Sequence, residues 1–394
     1  MSSAGTRNAG TTTTIEQLLA AKEIALACGS GGVGKTTTAA ALGVMAAAHL
    51  GGKVLVVTVD PARRLADALG LDAVGNVERR VPTESFTDAG LAPRGELWMA
   101  MLDTKQSWDD LVRAHAPDAK VRESILANPL YANITAKFAQ SHDYIAMERL
   151  FEIHASGRYD LVIVDTPPTR NALDFLDAPS RMAEFFGGRL LRWLTVPYRS
   201  RLFTAASKPF YQVADRVLGS KFLEDIAEFF VLFQSMEKGF VARAREVSRV
   251  LADRRTTFIV VTTLETAPVH EAEHFINALR ERRLHLGALV LNKVLPPMLL
   301  DDEASAAADR LASAATELAA PLAALVKASP EQVGRVLQEV AASFHNFQVV
   351  AKREAELRVE LAEAAGVTVA VPYFDADIHD LRGLVRVGER LWRV

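Results

Sequence analysis

The sequence has almost no cysteine: Cys28 is the only one in 394 residues. A single thiol excludes a disulfide framework within the chain, and it excludes zinc or arsenite sites built from several of the chain's own cysteines. We expect Cys28, at the end of an apolar run, to be a buried and inert thiol. A reducing cytoplasm suits this composition.

Long apolar runs and an excess of one charge are also missing. No stretch of about 18 uninterrupted apolar residues predicts a membrane span. Residues 1–22 predict a flexible tail, because Met1–Thr14 is rich in Ser, Thr, Gly and Ala and lacks the apolar centre of a signal peptide. The 45 basic and 48 acidic residues are mixed along the chain and give a formal net charge of −3. We therefore expect a cytoplasmic protein that neither spans a membrane nor binds nucleic acid.

The chain is rich in apolar residues, at 49% of the sequence, so it can bury a large core. Short runs with many β-branched residues alternate with helical stretches, which predicts an α/β fold with a mostly parallel sheet flanked by helices. The predicted strands are Ile24–Cys28, Lys53–Thr58, Leu97–Leu102, Leu161–Val164, Thr257–Thr262, Ala288–Leu291 and Val367–Val371.

A long helical stretch interrupts this alternation. Roughly ninety residues lie between the strands that begin at Leu161 and Thr257, which is too many for a simple crossover. We predict one domain over residues 23–394, with helical subdomain segments at about 104–156 and 172–252. Two apolar series in the second segment are compatible with either an internal helical core or an exposed apolar groove or dimer surface. Their members are Met182, Phe185, Phe186, Leu190, Leu191, Trp193 and Leu194, then Phe222, Ile226, Phe229, Phe233, Met236 and Phe240.

The most informative motif is GSGGVGKTT, which fits G-x-x-x-x-G-K-[ST] between a predicted strand and a predicted helix. Glycines let the main chain curl so that its N–H groups point at phosphate oxygens, and the helix N-terminus adds partial positive charge. Lys35 should reach the β- and γ-phosphates, and the Thr36 hydroxyl should bind Mg²⁺. The flanking strand and helix argue against a chance glycine-rich turn. The predicted nucleotide-binding residues are Gly29, Gly31, Gly32, Val33, Gly34, Lys35, Thr36 and Thr37.

Two aspartates follow apolar strands at the edge of the sheet where the phosphates should lie. Burying a carboxylate there is costly unless it lies beside a cation or polarises a water molecule. Asp165 is predicted to hold the Mg²⁺ shell, and Asp60 to orient or activate the attacking water. The alternative for each is an ordinary helix N-cap.

Together GSGGVGKTT, DPARRLADAL, DTPPTRNALDFL and LNKV resemble, in order, the motifs of the arsenite-pump ATPase family, which includes the ATPase that guides tail-anchored membrane proteins. The resemblance runs from about Glu23 to the C-terminus. It implies a dimeric ATP hydrolase in which DPARR is switch I and DTPPT is switch II. It also implies adenine contacts from Asn292 and, in the Val371–Phe374 loop, from Pro372 and Phe374. A turn-forming asparagine and a strand-end turn are the alternatives for these two segments.

The chain departs from that family at two places. Ser30 stands where family members usually have a lysine that crosses the dimer interface to the partner's nucleotide. The resemblance thus favours a heterodimer with a paralogous ATPase over a homodimer, or else a slow chain that acts as a nucleotide-dependent binder. The second departure is Cys28, which cannot form the family's zinc pair or its arsenite-binding cysteine cluster.

The leading functional hypothesis is a dimeric switch ATPase that binds and hydrolyses Mg-ATP and couples its nucleotide state to an apolar helical surface for a client, as a chaperone or targeting factor does. One alternative is the energising subunit of an anion pump bound to a membrane protein. Another is a regulatory subunit of a heterodimer that holds nucleotide with little turnover.

Overall fold

The computed structural model describes residues 14–59, 64–71, 76–128, 130–131, 139–167, 176–181, 184, 229, 231–232, 235–362 and 364–392. Its strands are β1 Ile24–Cys28, β2 Lys53–Thr58, β3 Arg79–Arg80, β4 Glu96–Met101, β5 Leu161–Asp165, β6 Thr256–Thr262, β7 Leu286–Val294 and β8 Val367–Pro372. They form one eight-stranded sheet in the order β3-β4-β2-β5-β1-β6-β7-β8. Every pairing is parallel except that of β3 with β4.

The predicted α/β fold and its seven strands are confirmed, and the largest difference in bounds is in β7. Every residue of β1, β5 and β6 is buried, which explains why these strands read as continuous apolar runs rather than alternating ones. The short strand β3 was not predicted, because two arginines carry no apolar periodicity.

Helices cover both faces of the sheet. They are α1 Ile15–Ala20, α2 Lys35–His49, α3 Arg64–Ala68, α4 Thr83–Asp88, α5 Thr104–His115, α6 Ala119–Ala127, α7 Ala139–Ala155, α8 Glu237–Ala252, α9 Thr266–Glu281, α10 Asp302–Val326, α11 Pro330–Ala362 and α12 Leu381–Trp392. With the sheet they enclose two separate cores: one contains residues of α2 and α12, and the other contains residues of α5, α7, α8 and α9.

Helix α1 lies within the segment for which the sequence predicted a flexible tail. The Thr14 hydroxyl accepts a hydrogen bond from the Gln17 main-chain N–H, and the Gln17 side chain accepts one from the Thr14 N–H. This reciprocal pair caps the helix. Ile15 and Leu19 are buried in the α2 core, so the hydrophobic effect holds α1 against the domain.

Part of the second apolar series lies in the core on the other face. Phe229, Met236 and Phe240 are 2%, 1% and 1% exposed. The Phe240 ring lies 6.3 Å, between ring centroids, from both Trp108 of α5 and Tyr144 of α7. These three residues therefore fit the internal-core interpretation. The other members of both series lie outside the described residues.

A buried ion pair also joins the helices on this face. Glu148 of α7 is 3% exposed, and its Oε1 lies 2.9 Å from Nε of Arg243 in α8. Burial raises the pKa of the Glu148 carboxyl to about 7, against the opposing effect of Arg243. The pair thus fixes α7 against α8 while remaining sensitive to the loss of either partner.

Helices α10 and α11 form a hairpin between β7 and β8. The Ala-, Leu-, Glu- and Arg-rich composition of this region favours helices. Several of its apolar side chains are exposed, including Leu325, Val336, Val340, Phe347 and Val350. In the part of the chain that the structure describes, no single helix is long and apolar enough to cross a membrane; α10 and α11 meet that length and composition only as a pair, bent by 116°.

The close approach of α2 to β2 depends on Gly43, because a Cβ there would overlap the Val56 side chain. We expect Gly43→Ala to lower the free energy of unfolding by about 1–3 kcal/mol, as overpacking does. We expect this loss of stability even though alanine is more favourable than glycine in a helix interior by about 0.5–1 kcal/mol. The measurement is urea unfolding of the full chain.

Gly334→Ala in α11 is the matched control. Its Cβ would meet the Ala319 Cβ at 3.6 Å, an ordinary contact, so helix propensity should make this variant as stable as the wild type or more so. Equal changes in the two variants would show that the close approach of α2 to β2 does not require glycine at position 43.

Candidate nucleotide site

The candidate site is built around the loop Gly29–Gly34, which joins the central strand β1 to α2. Two of its glycines are required by close packing. A Cβ on Gly29 would overlap the main-chain carbonyl of Val261 in β6, and one on Gly34 would overlap the side-chain amide of Asn292. Gly34 also has φ +96°, a conformation that other residues rarely adopt. The loop can therefore curl tightly against β6 and β7.

Helix α2 begins beside this loop, at the edge of a cavity. Its N-cap, Gly34, offers no side-chain hydrogen bond. The Thr38 N–H is the first to bond within the helix, to the Gly34 carbonyl at 2.9 Å. The N–H groups of the three preceding residues lack intrahelical acceptors, and Lys35, Thr36 and Thr37 all line the cavity. This helix end can bind an anion.

Lys35 lies inside the curl of the loop. It is 6% exposed, and its Nζ donates a hydrogen bond to the Ser30 carbonyl at 2.8 Å. The cation is thus held by the loop itself, and Lys35 also lines the cavity. The role of Lys35 as a phosphate ligand remains a prediction.

Asp165 ends β5 directly beside the loop and is fully buried, at 0% exposure. Its Oδ2 accepts a hydrogen bond from the Thr36 hydroxyl at 2.7 Å and another from the Thr58 hydroxyl at 2.9 Å. These two bonds join α2, β2 and β5 at one point. The sequence did not reveal Thr58, although a polar residue at the end of an apolar strand was the available signal.

Behind the loop, Cys28 is 2% exposed. Burial raises the pKa of its thiol to about 12, so the reactive thiolate is strongly disfavoured. The prediction that Cys28 is buried is thereby confirmed. Next to it, the Thr166 hydroxyl donates to the Ala27 carbonyl at 2.9 Å and so fixes the start of the segment after β5.

The opposite wall of the cavity comes from the end of β7 and from the segment after β8. Asn292 Nδ2 donates to the Val33 carbonyl at 2.7 Å, so this side chain supports the loop itself. Lys293 Nζ lies 3.2 Å from the Gly32 carbonyl oxygen. Farther along the wall, the Arg386 guanidinium lies 5.2 Å from the centre of the Phe374 ring.

These elements enclose a cavity of about 790 Å³, within the range of small-molecule sites. The predicted residues that line it are Gly32, Gly34, Lys35, Thr36, Thr37, Asn292, Pro372 and Phe374. Gly29, Gly31, Val33 and Asp165 do not line it, and of these Val33 and Asp165 contribute through the bonds given above. Asp60 lies outside the described residues.

Other lining residues were not predicted as site residues, among them Lys293, Tyr373, Asp67, Asp377 and His379. Lys293 directly follows Asn292, which was the one signal available for it. Asp67 lies within DPARRLADAL and Tyr373 within the Val371–Phe374 loop, whereas Asp377 and His379 belong to neither segment. The fold brings all four to the cavity. Among the described residues, no group of three or more His, Cys, Asp or Glu side chains could hold a metal ion.

Comparisons with known proteins agree with this geometry. The family model described as anion-transporting ATPase matches residues 22–315. Similar proteins include ATPase GET3 of Malassezia globosa, 25% identical over 272 residues, which are 68% of this chain and 72% of the fungal protein. The putative arsenical pump-driving ATPase 2 of Aquifex aeolicus is 23% identical over 270 residues, 68% of this chain and 79% of the bacterial one. The ATPase ASNA1 homolog of Entamoeba dispar is 25% identical over 270 residues, 68% and 75% of the two chains.

Family membership implies ATP binding and hydrolysis, and members of this family typically form dimers. The matched residues include the loop between β1 and α2, both threonines that bond Asp165, and the pair Asn292–Lys293. Because the family model spans well over half of the sequence and contains these parts of the site, the chain belongs to the anion-transporting ATPase family.

Proposed function

We propose that this ATPase is a dimeric, Mg²⁺-dependent switch that couples its nucleotide state to the binding of an apolar client, as a chaperone or targeting factor does. The observation that supports a switch is the set of hydrogen bonds at Asp165. This one buried carboxylate accepts from the Thr36 hydroxyl at the start of α2 and from the Thr58 hydroxyl at the end of β2. A change at the phosphates can therefore reach the segments that follow β2 and β5.

Thr36 and Asp165 fit a magnesium ion. They bring a hydroxyl oxygen and a carboxylate oxygen within 2.7 Å of each other at the N-terminus of α2, and Mg²⁺ prefers oxygen ligands of this kind. A magnesium ion held there would neutralise charge on the phosphate oxygens. We assign it to these two residues.

The remaining roles follow from the cavity. The amides at the start of α2 and Lys35 bind the phosphates, and Asp60 orients the attacking water. Asn292 can keep its bond to Val33 and still offer one N–H and its carbonyl oxygen to adenine, because a carboxamide has two donor hydrogens and one acceptor atom. Pro372 and Phe374 provide an apolar surface beside it.

Lys35 and Asp60 should differ in what they contribute. We expect Lys35→Ala to weaken Mg-ATP binding by about 10- to 150-fold, since it removes a charged contact worth about 1.5–3 kcal/mol. Asp60→Asn should leave affinity within about threefold but slow single-turnover hydrolysis by 100-fold or more, on the order expected for loss of a general base. The measurements are calorimetric titration and rapid-quench kinetics. An equal loss of affinity in both variants would contradict the role of Asp60.

The magnesium assignment predicts that Asp165→Asn raises the Mg²⁺ concentration needed for half-maximal hydrolysis by about tenfold or more. Asp160→Asn is the matched control, because Asp160 directly precedes β5 and is bonded to the Lys53 N–H at the other edge of the sheet. That variant should keep the wild-type magnesium dependence. An unshifted magnesium titration in a folded Asp165→Asn protein would remove Asp165 from the metal site.

The neutral residue Ser30 supports a heterodimer with a paralogous ATPase over a homodimer. Its Oγ is buried, with no hydrogen-bond partner in the part of the chain that the structure describes, and its carbonyl holds Lys35. Position 30 therefore provides no positive charge from this chain. A paralogue that carries a lysine at the corresponding position would supply that charge across the interface.

Turnover should therefore depend on the partner. We expect the purified chain to hydrolyse ATP slowly and to accelerate at least tenfold when the paralogous ATPase is added, with native mass spectrometry showing a complex of two different subunits. Ser30→Lys should raise the turnover of the chain alone, with a thermal melt as the control for folding. Fast turnover by the wild type alone, unchanged in Ser30→Lys, would remove the need for a partner.

The description of the family and the name of the Aquifex relative favour a second function, that of an energising subunit of an anion pump. Co-purification with a multi-span membrane protein, and stimulation of hydrolysis by an oxyanion, would support it over the client-binding role. The single cysteine argues against arsenite as that anion. A cytoplasmic location follows from either proposal and remains a prediction.

A further inference from the structure

Lys293 is a second cation at the phosphate loop. It lines the same cavity as Lys35, and its Nζ donates a hydrogen bond to the Gly32 carbonyl at 3.2 Å. Lys35 is almost wholly buried within the loop, whereas Lys293 is exposed and approaches the loop from the β7 side. The two ammonium groups therefore reach the loop from different directions.

The backbone around Lys293 is fixed in an uncommon conformation. Lys293 has φ +59°, in the left-handed region that lysine rarely adopts, and the register of β7 with β8 shifts between Leu291 and Val294. Hydrogen bonds hold the residues on either side of Lys293: the Asn292 side chain donates to the Val33 carbonyl, and the Tyr373 N–H donates to the Val294 carbonyl. Strain that is held in this way is a feature of functional sites.

The ammonium group of Lys293 has only a weak partner. No carboxylate in the described part of the chain forms an ion pair with it, and the Gly32 carbonyl is neutral. A hydrogen bond from an ammonium group to an anionic oxygen is about twice as strong as one between neutral groups. The flexible four-carbon stem allows the Nζ to exchange one acceptor for another at little cost.

We infer that Lys293 binds the phosphate chain of the nucleotide, exchanging the Gly32 carbonyl for a phosphate oxygen when nucleotide enters the cavity. This inference rests on the Mg-ATP site proposed above. It gives the chain a second cation of its own, beside Lys35, at a loop where position 30 is neutral. Lys293 thereby adds to affinity within one subunit, whichever subunit lies across the dimer interface.

The experiment compares Lys293→Gln with Lys293→Arg in calorimetric titrations of the full chain with Mg-ATP and Mg-ADP at low and high salt. Glutamine retains a donor for the Gly32 carbonyl but removes the charge. We expect Lys293→Gln to weaken binding of both nucleotides by about tenfold at low salt and to flatten the salt dependence. Lys293→Arg should stay within about threefold of the wild type.

Lys327→Gln is the matched control. Lys327 is also an exposed lysine in the left-handed region, with φ +53°, but it ends α10 and does not line the cavity. The Lys327→Gln variant should bind both nucleotides as the wild type does. A similar loss in Lys327→Gln would mean that net charge alone sets the affinity, which overturns the inference.

These measurements distinguish a failure of the inference about Lys293 from a failure of the proposed Mg-ATP site. Wild-type affinity and wild-type salt dependence in Lys293→Gln would overturn the inference alone, provided that Lys35→Ala still weakens binding. Weaker binding with unchanged salt dependence and a lower melting temperature would assign Lys293 a purely structural bond to Gly32. No uptake of Mg-ATP by the folded wild type would refute the site and the inference together.

Discussion

The site depends on a carboxylate that is buried completely. Asp165 is 0% exposed at the end of β5, and burying so polar a group is unfavourable unless other polar groups bond to it. Two hydroxyl groups do so from different elements, Thr36 from α2 and Thr58 from β2. Because one acceptor atom receives both bonds, the start of the phosphate loop's helix and two neighbouring strands are held in one arrangement. If a metal ion replaced the hydrogen bond between Thr36 and Asp165, α2, β2 and β5 would all be affected together.

The second wall of the cavity is coupled to a different part of the molecule. Asn292 bonds the loop through the Val33 carbonyl, and three residues later the Leu295 N–H donates to the Glu354 carboxylate of α11 at 3.1 Å. Burial raises the pKa of Glu354, with the Leu295 bond acting against that rise. A short stretch at the end of β7 thus contacts the phosphate loop on one side and the α10–α11 hairpin on the other. The hairpin is therefore positioned to respond to events at the phosphates, in addition to the segments that follow β2 and β5.

The sequence predicted the sheet well because its central strands are buried on both faces and so consist almost entirely of apolar residues. It predicted the phosphate loop because glycine, lysine and threonine are needed there at fixed spacing. It did not predict Thr58 or Lys293 as site residues, because the local signals for them were weak and their contacts depend on a neighbouring strand and on a register shift. Helix α1 was missed for a related reason: Ile15 and Leu19 acquire their meaning only from the core they enter. The predicted division into helical subdomains and the role of Asp60 remain predictions.

The burial of Phe229, Met236 and Phe240 narrows where an apolar client could bind. All three side chains lie in the same buried core as Trp108 and Tyr144, and the Phe240 ring contacts both of these residues, which holds α8 against α5 and α7. Exposing them for a client would open that core, at a cost of about 1.5–3 kcal/mol for each large side chain returned to water. A switch driven by one nucleotide can shift an equilibrium only by its differential affinity for the two states. A client surface that leaves these three residues in place is therefore the more economical arrangement, and it would draw on apolar residues elsewhere in the chain.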